Sequence, residues 1–133
     1  MTYSLDTNAI IHLIIGTPTV SEQYEQCLCD DEMIVISPYV DFEVRRGLKY
    51  KNATAKERIY ERLCENWKIG EMNRGVWLRA VSIYSDLRHN GFTVGDADIL
   101  IAAFCIENDY TLVTNNTKDF KNIDGLLITD WLT

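Results

Sequence analysis

Histidine and proline are scarce in this chain, two of each in 133 residues, and its four cysteines show no Cys-x2-Cys pair. Each scarcity removes a class of chemistry or architecture. His12 lies in an apolar stretch and His89 at the end of a helical pattern, and neither has neighbours that suggest a catalytic triad or an imidazole metal site. Cys27, Cys29, Cys64 and Cys105 lack zinc-ligand spacing and are expected as reduced thiols, with Cys64 and Cys105 acting as small hydrophobes on helix faces. With only Pro18 and Pro38, and seven scattered glycines, there is no linker, repeat or low-complexity tract. A single domain over residues 1–133 is therefore expected. No apolar run approaches the roughly 20 residues of a membrane span. No basic segment precedes the first strand, so neither a signal peptide nor membrane association is expected, and the location is expected to be cytoplasmic.

What is present fits an ordinary globular core, with 47% apolar and 25% charged residues. The net charge of −7 argues against a nucleic-acid partner, but its distribution does not. Residues 45–62 hold seven basic side chains, Arg45, Arg46 and Lys49 among them, against Glu57 and Glu61, leaving −12 for the remainder. Such a segment could track a phosphate backbone beside an acidic centre. A solvated helix face with i,i+4 pairs explains the same charges equally well.

Apolar periodicity predicts an alternation of strands and helices. Residues 2–5 read as a strand and 8–15 as a buried helix closed by Gly16 and Pro18. A helix over 21–29 capped by Ser21 precedes a strand at 33–36, and a third helix starting near Tyr39 carries Glu43. Helical faces follow at 55–68 (Ile59, Leu63, Cys64, Trp67) and 74–89, then a helix over 98–107 that is apolar nearly all round. Strands at 111–114 and 126–128 complete the pattern. Strands joined by helical crossovers imply an α/β fold, with about four short parallel strands covered on both faces.

Against this frame the carboxylates stand out. Asp6 ends the first strand, and Asp96 and Asp98 open the helix at Gly95-Asp96-Ala97-Asp98. Asp119 follows the strand ending at Thr114, and Glu43 borders the face set by Val40 and Val44. In α/β sheets these positions converge on one crevice beyond the carboxyl ends of the strands. Taken singly, Asp6 also reads as a cap, Asp96 as an N-cap, Asp98 as a first-turn acid and Glu43 as a surface partner of Arg46 or Lys49. Taken together, acids without a base repel one another unless they hold protons or a hard cation. With no nucleophile–base pair in view, an oxygen-ligand site for Mg2+ or Mn2+ that activates water against a phosphoryl group suits these residues best. Tyr39 and Phe120 lie near these acids and could stack on a base, although packing explains both.

The run Leu5-Asp6-Thr7-Asn8, then Ile36-Ser37 with Glu43 and Gly47, then Gly95-x-x-Asp98-x-Leu100-Ile101-Ala102-Ala103, resembles a PIN-domain ribonuclease. The tail from Leu112 to Phe120, with Gly125-Leu126 and Trp131, is similar to that of the VapC toxins of type II toxin–antitoxin systems. The resemblance spans the whole chain as one PIN domain, a three-layer sandwich with a short central parallel sheet flanked by helices. It implies an Mg2+- or Mn2+-dependent endoribonuclease acting on transfer RNA or another structured RNA. It further implies a homodimer neutralised by a VapB-type antitoxin whose tail enters the acidic groove. By matching position, Asp6 and Asp98 would be the principal metal ligands, completed by Glu43, with Asp96 auxiliary. Asp119 or Asn116 would support a ligand or the attacking water, with Thr7, Asn8 and Thr114 bonding behind them. Arg45, Arg46 and Lys49 would contact RNA. Asp41 stands where related chains usually carry an apolar residue. A PIN-like binding module without activity is the alternative; it requires the loss of Asp6, Glu43 or Asp98, and all three are present. A haloacid-dehalogenase phosphatase would want aspartate where Asn8 stands, and a receiver domain would want a better-placed lysine than Lys118.

Overall fold

The computed structural model describes residues 1–133 and contains five strands and seven helices. In chain order they are β1 (Thr2–Leu5), α1 (Thr7–Ile15), α2 (Pro18–Cys29), β2 (Met33–Ile36), α3 (Pro38–Tyr50), α4 (Thr54–Cys64), β3 (Lys68–Ile69), α5 (Arg74–His89), α6 (Asp96–Asn108), β4 (Thr111–Val113), α7 (Thr117–Phe120) and β5 (Ile128–Thr129). The strands form one sheet in the order β3-β2-β1-β4-β5, every neighbouring pair parallel. The expected α/β class, a short parallel sheet flanked by helices, is the one observed.

The first strand lies at the centre. From β1 the chain passes to β2 on one side and later returns to β4 on the other, so their carboxyl ends flank a switch point where a crevice opens. Leu5 pairs with Val113 there, and the Asp6 amide donates to the Val113 carbonyl at 3.0 Å. Leu5, Ile36, Leu112 and Val113 are buried to 1% exposure or less, which anchors the strand ends in the core. Helix α1 is closed by Gly16, whose φ of 78° is the left-handed cap that glycine adopts without a Cβ penalty. Helix α6 buries Ile99, Ile101, Ala102, Ala103, Phe104 and Cys105, as its all-round apolar sequence predicted.

Five local expectations are corrected. Helix α2 begins at Pro18, not Ser21: proline is well placed in a first helical turn, and Thr17 stands at the cap position. The helical face expected over 55–68 ends at Cys64. Trp67 lies beyond it, buried, its indole N–H donating to Tyr24 Oη at 3.1 Å. Lys68 and Ile69 then form the edge strand β3, and the last strand is Ile128–Thr129, not 126–128. The single turn α7 was not expected at all.

Candidate active site

Asp6 lies at the switch point because its backbone continues β1 while its side chain caps α1. Its Oδ1 accepts the Ala9 N–H at 2.8 Å, and the residue is 6% exposed. Burial pushes its carboxyl above the ordinary 3.8; hydrogen bonds from the Thr114 hydroxyl and the Ala9 amide oppose that rise, and the Glu43 charge adds to it. The cap reading of Asp6 is thus satisfied.

Glu43 reaches the same crevice from α3. The Thr7 hydroxyl donates to its Oε1 at 2.7 Å, and an Arg46 guanidinium N–H lies 3.6 Å from Oε2. Its side chain is 18% exposed, so the pairing with Arg46 leaves it a wall of the crevice and not a free surface group. Asp98, half-buried in the first turn of α6, has a carboxyl raised above the ordinary value by burial first, then by the charges of Asp119, Asp6 and Glu43 in that order. Carboxylates from the β1–α1 junction, α3, α6 and α7 therefore act on one another electrostatically.

The remaining expected residues divide. Asp119 is exposed and accepts from Asn116 Nδ2 at 2.7 Å, so these two candidates for one position form a single hydrogen-bonded unit. Thr114 is fully buried and also accepts the Asn116 amide at 3.0 Å. Asn8 is exposed on the first turn of α1. Asp96 is not drawn into the cluster: it is exposed and lines an apolar groove with Trp77, Val81, Tyr84 and Leu100. Two residues apart on a helix, Asp96 and Asp98 point about 200° apart, and Asp98 takes the crevice. Arg45 turns away to Asp41 (2.9 Å) and Glu61, over the Tyr60 ring, whereas Arg46 and Lys49 stay exposed on α3. The Asp41–Tyr60 hydrogen bond of 2.7 Å explains an acid at that position: it ties α3 to α4. Phe120 is 1% exposed and Tyr39 half-buried, so only Tyr39 of the two borders solvent.

No three of these side chains are placed together so as to hold a metal ion by themselves. The donor set nevertheless suits a hard divalent cation. It is all oxygen and lacks histidine and thiolate, and the charges of Asp119, Asp6 and Glu43 add to burial in raising the Asp98 carboxyl. Mg2+ keeps several waters and needs only one or two carboxylates, so an open arrangement fits it. A cleft of about 540 Å³ lies elsewhere, between α3 and α4, lined by Phe42, Leu48, Lys49 and Tyr60 among others.

A parallel α/β domain with an acidic crevice at its switch point is the class that fold and site define. The PIN-domain family model matches residues 3–126, and the chain belongs to that family. It is 29% identical to ribonuclease VapC2 of Rickettsia felis, with 98% of each chain covered. It is 26% identical to the tRNA(fMet)-specific endonuclease VapC of Salmonella typhimurium over 97% of each. The crystal structure of VapBC2 from Rickettsia felis bound to a promoter DNA fragment superposes with a TM-score of 0.90 at 26% identity, covering 98% of this chain and 99% of that one.

Proposed function

We propose that the protein is a VapC-type toxin, a divalent-metal-dependent endoribonuclease that hydrolyses a phosphodiester bond in transfer RNA or another structured RNA. What supports this reading is the Thr7–Glu43 hydrogen bond at the foot of the helix that Asp6 caps, which sets Glu43 near Asp6, together with the charges of Asp119, Asp6 and Glu43 that add to burial in raising the Asp98 carboxyl. Similarity to VapC ribonucleases along the whole chain supports the same activity.

Asp6, Asp98 and Glu43 would hold Mg2+ or Mn2+, and Asp96 has no part in that set. When bound, the metal would supply an activated water and charge stabilisation at the phosphoryl group. The protein's own residues orient and restrain. Thr7 fixes the Glu43 carboxylate by a 2.7 Å bond, and the Ala9 amide fixes Asp6. Asp119, held by Asn116, faces the same field and is the acid best exposed to accept a proton from an attacking water. Lys49, exposed and in no ion pair, and Arg46, exposed and 3.6 Å from Glu43, are the cations offered to RNA phosphates; Arg45 is committed to Asp41 and Glu61.

A VapB-type antitoxin is the partner that neutralises the toxin, since a basic side chain in the crevice would relieve the same repulsion as the metal. The second copy of the homodimer meets the exposed apolar face of α5, where Trp77, Val81 and Tyr84 stand in solvent. No helix is long and apolar enough to cross a membrane, and a cytoplasmic location accords with an RNA substrate.

The test is incubation of antitoxin-free protein with total bacterial RNA and Mg2+ or Mn2+, beside EDTA and Asp6→Ala controls. Discrete fragments that vanish in both controls are expected. Fragments that persist in EDTA, or none from folded wild-type protein with either metal, would overturn the proposal.

A further inference from the structure

Asn116 and Asp119, the two candidates for the last acidic position, are bonded to each other, and the bond has a direction. The Asn116 backbone N–H donates to Thr114 Oγ1 at 3.0 Å, and Thr114 is fully buried, so the loop is pinned to the end of β4. The Asn116 side-chain Nδ2 donates to Asp119 Oδ2 at 2.7 Å. A carboxylate only accepts, so the amide must turn its NH2 to Asp119 and its oxygen away. Asn116 therefore presents hydrogens, not a lone pair, to the acid it touches. The other acids differ in how far they are engaged. Glu43 meets Thr7 at Oε1 and Arg46 at Oε2, and Asp6 holds the Ala9 amide at Oδ1. Asp98 answers only to burial and to the charges of Asp119, Asp6 and Glu43, with no hydrogen bond to its carboxyl. One dication placed at Asp98 would relieve that repulsion, whereas a second would need carboxylates of its own, and at residue 116 the chain supplies an amide.

We propose that the crevice takes a single divalent cation in the RNA-free protein, and that Asn116 sets this number by keeping Asp119 as an outer acid. The proposal rests on the metal-dependent endoribonuclease reading and adds the metal count and its cause. Asn116 is a positioning residue that acts through Asp119. With asparagine, the pair is an acceptor and its donor, satisfied without a metal, and Asp119 keeps a fixed orientation with Oδ1 left to take a proton. An aspartate at 116 would face Asp119 at hydrogen-bond distance. Two carboxylates that close repel each other unless a proton or a hard cation lies between them. A single substitution would thus turn the pair into a second cation site.

The count can be measured without any turnover. Antitoxin-free protein stripped of metal is titrated with Mn2+, and the free ion is followed by its EPR signal. Binding that persists in an Asp6→Ala/Asp98→Asn double variant is subtracted as background, and circular dichroism confirms that each variant folds. Wild type should hold one Mn2+ per chain, and Asn116→Asp two. Asn116→Ala should hold one with unchanged affinity, while kcat for RNA cleavage falls about 10- to 100-fold at unchanged KM, because Asp119 loses its orientation. Two Mn2+ on wild type would overturn the proposal and leave the metal-dependent nuclease standing. A single Mn2+ on folded Asn116→Asp would overturn the part given to Asn116. Loss of the Mn2+ in Asn116→Ala would overturn it as well, by making the amide oxygen a ligand. If wild type binds no Mn2+ above background, the count and the metal-dependent reading both fail.

Discussion

Replacing Thr7 by valine removes one hydroxyl and nothing else of comparable size, and its consequence is confined to Glu43. The Thr7 Oγ1–Glu43 Oε1 bond of 2.7 Å joins the start of α1 to α3 across the crevice. A hydrogen bond to a charged group is worth about 1.5–3 kcal/mol, and the partial exposure of both residues favours the lower end. Without the hydroxyl, Glu43 keeps only Arg46, 3.6 Å away on its own helix, and will swing toward it. Misplacement of a carboxylate that would complete a metal site should lower kcat/KM by about 10- to 100-fold, the usual effect of removing a partner behind a ligand. Thr7→Ser should keep most of the activity, because the hydroxyl remains. The assay is initial-rate cleavage of a labelled RNA across a range of Mg2+ concentrations, with circular dichroism to confirm folding. The Thr7→Val loss should shrink as Mg2+ is raised. Activity within twofold of wild type, or a Thr7→Ser variant as impaired as Thr7→Val, would refute the role given to this bond.

Asp98→Asn should raise the melting temperature at neutral pH in EDTA, since it removes a charge that burial and three neighbouring acids disfavour. A carboxyl whose folded pKa lies above its unfolded value adds stability when protonated, fully present below about 3.8 and lost as pH rises through the raised value, so the gain from asparagine should fade as acid is added. A variant less stable than wild type at neutral pH would contradict this. Gly70→Ala should cost about 1–3 kcal/mol in chemical denaturation, because a Cβ there would stand 2.5 Å from Phe104 Cζ and 3.3 Å from Val35 Cγ1. A neutral result would mean that the β3 end is looser than described. Val81→Glu on the exposed face of α5 should shift the protein from dimer to monomer in sedimentation, whereas an unchanged dimer would place the interface elsewhere.

What the residues alone disclose differs along the chain for physical reasons. β1, β2 and α6 are legible because apolar periodicity is a consequence of burial, and each buries several consecutive side chains; α5 is legible as a helix but not in its face, since Trp77, Val81 and Tyr84 are exposed while Val76, Ala80, Ile83 and Leu87 are buried. β3 is not legible: its two residues are both exposed, and only pairing with Val35 and Ile36 makes them a strand. β5 likewise exists through hydrogen bonds to β4, which side-chain pattern does not record. In the crevice, Asp6, Glu43 and Asp98 could be picked out because each adjoins a strongly apolar element. Choosing between Asp96 and Asp98 needed the orientation of α6, and separating Asn116 from Asp119 proved unnecessary once they were seen to bond to each other. Of the two partners of Arg45, Asp41 lies one turn away on the same helix, whereas Glu61 lies sixteen residues away on another helix and only the fold brings it near.

The most direct test of the central claim is the cleavage rate of a defined RNA by purified, antitoxin-free protein as Mg2+ or Mn2+ is titrated, with Asp98→Asn in parallel. A metal-bound acidic crevice predicts a saturable rise from no cleavage in EDTA and no cleavage by Asp98→Asn at any metal concentration. Cleavage that ignores the metal, or that survives in Asp98→Asn, would contradict it.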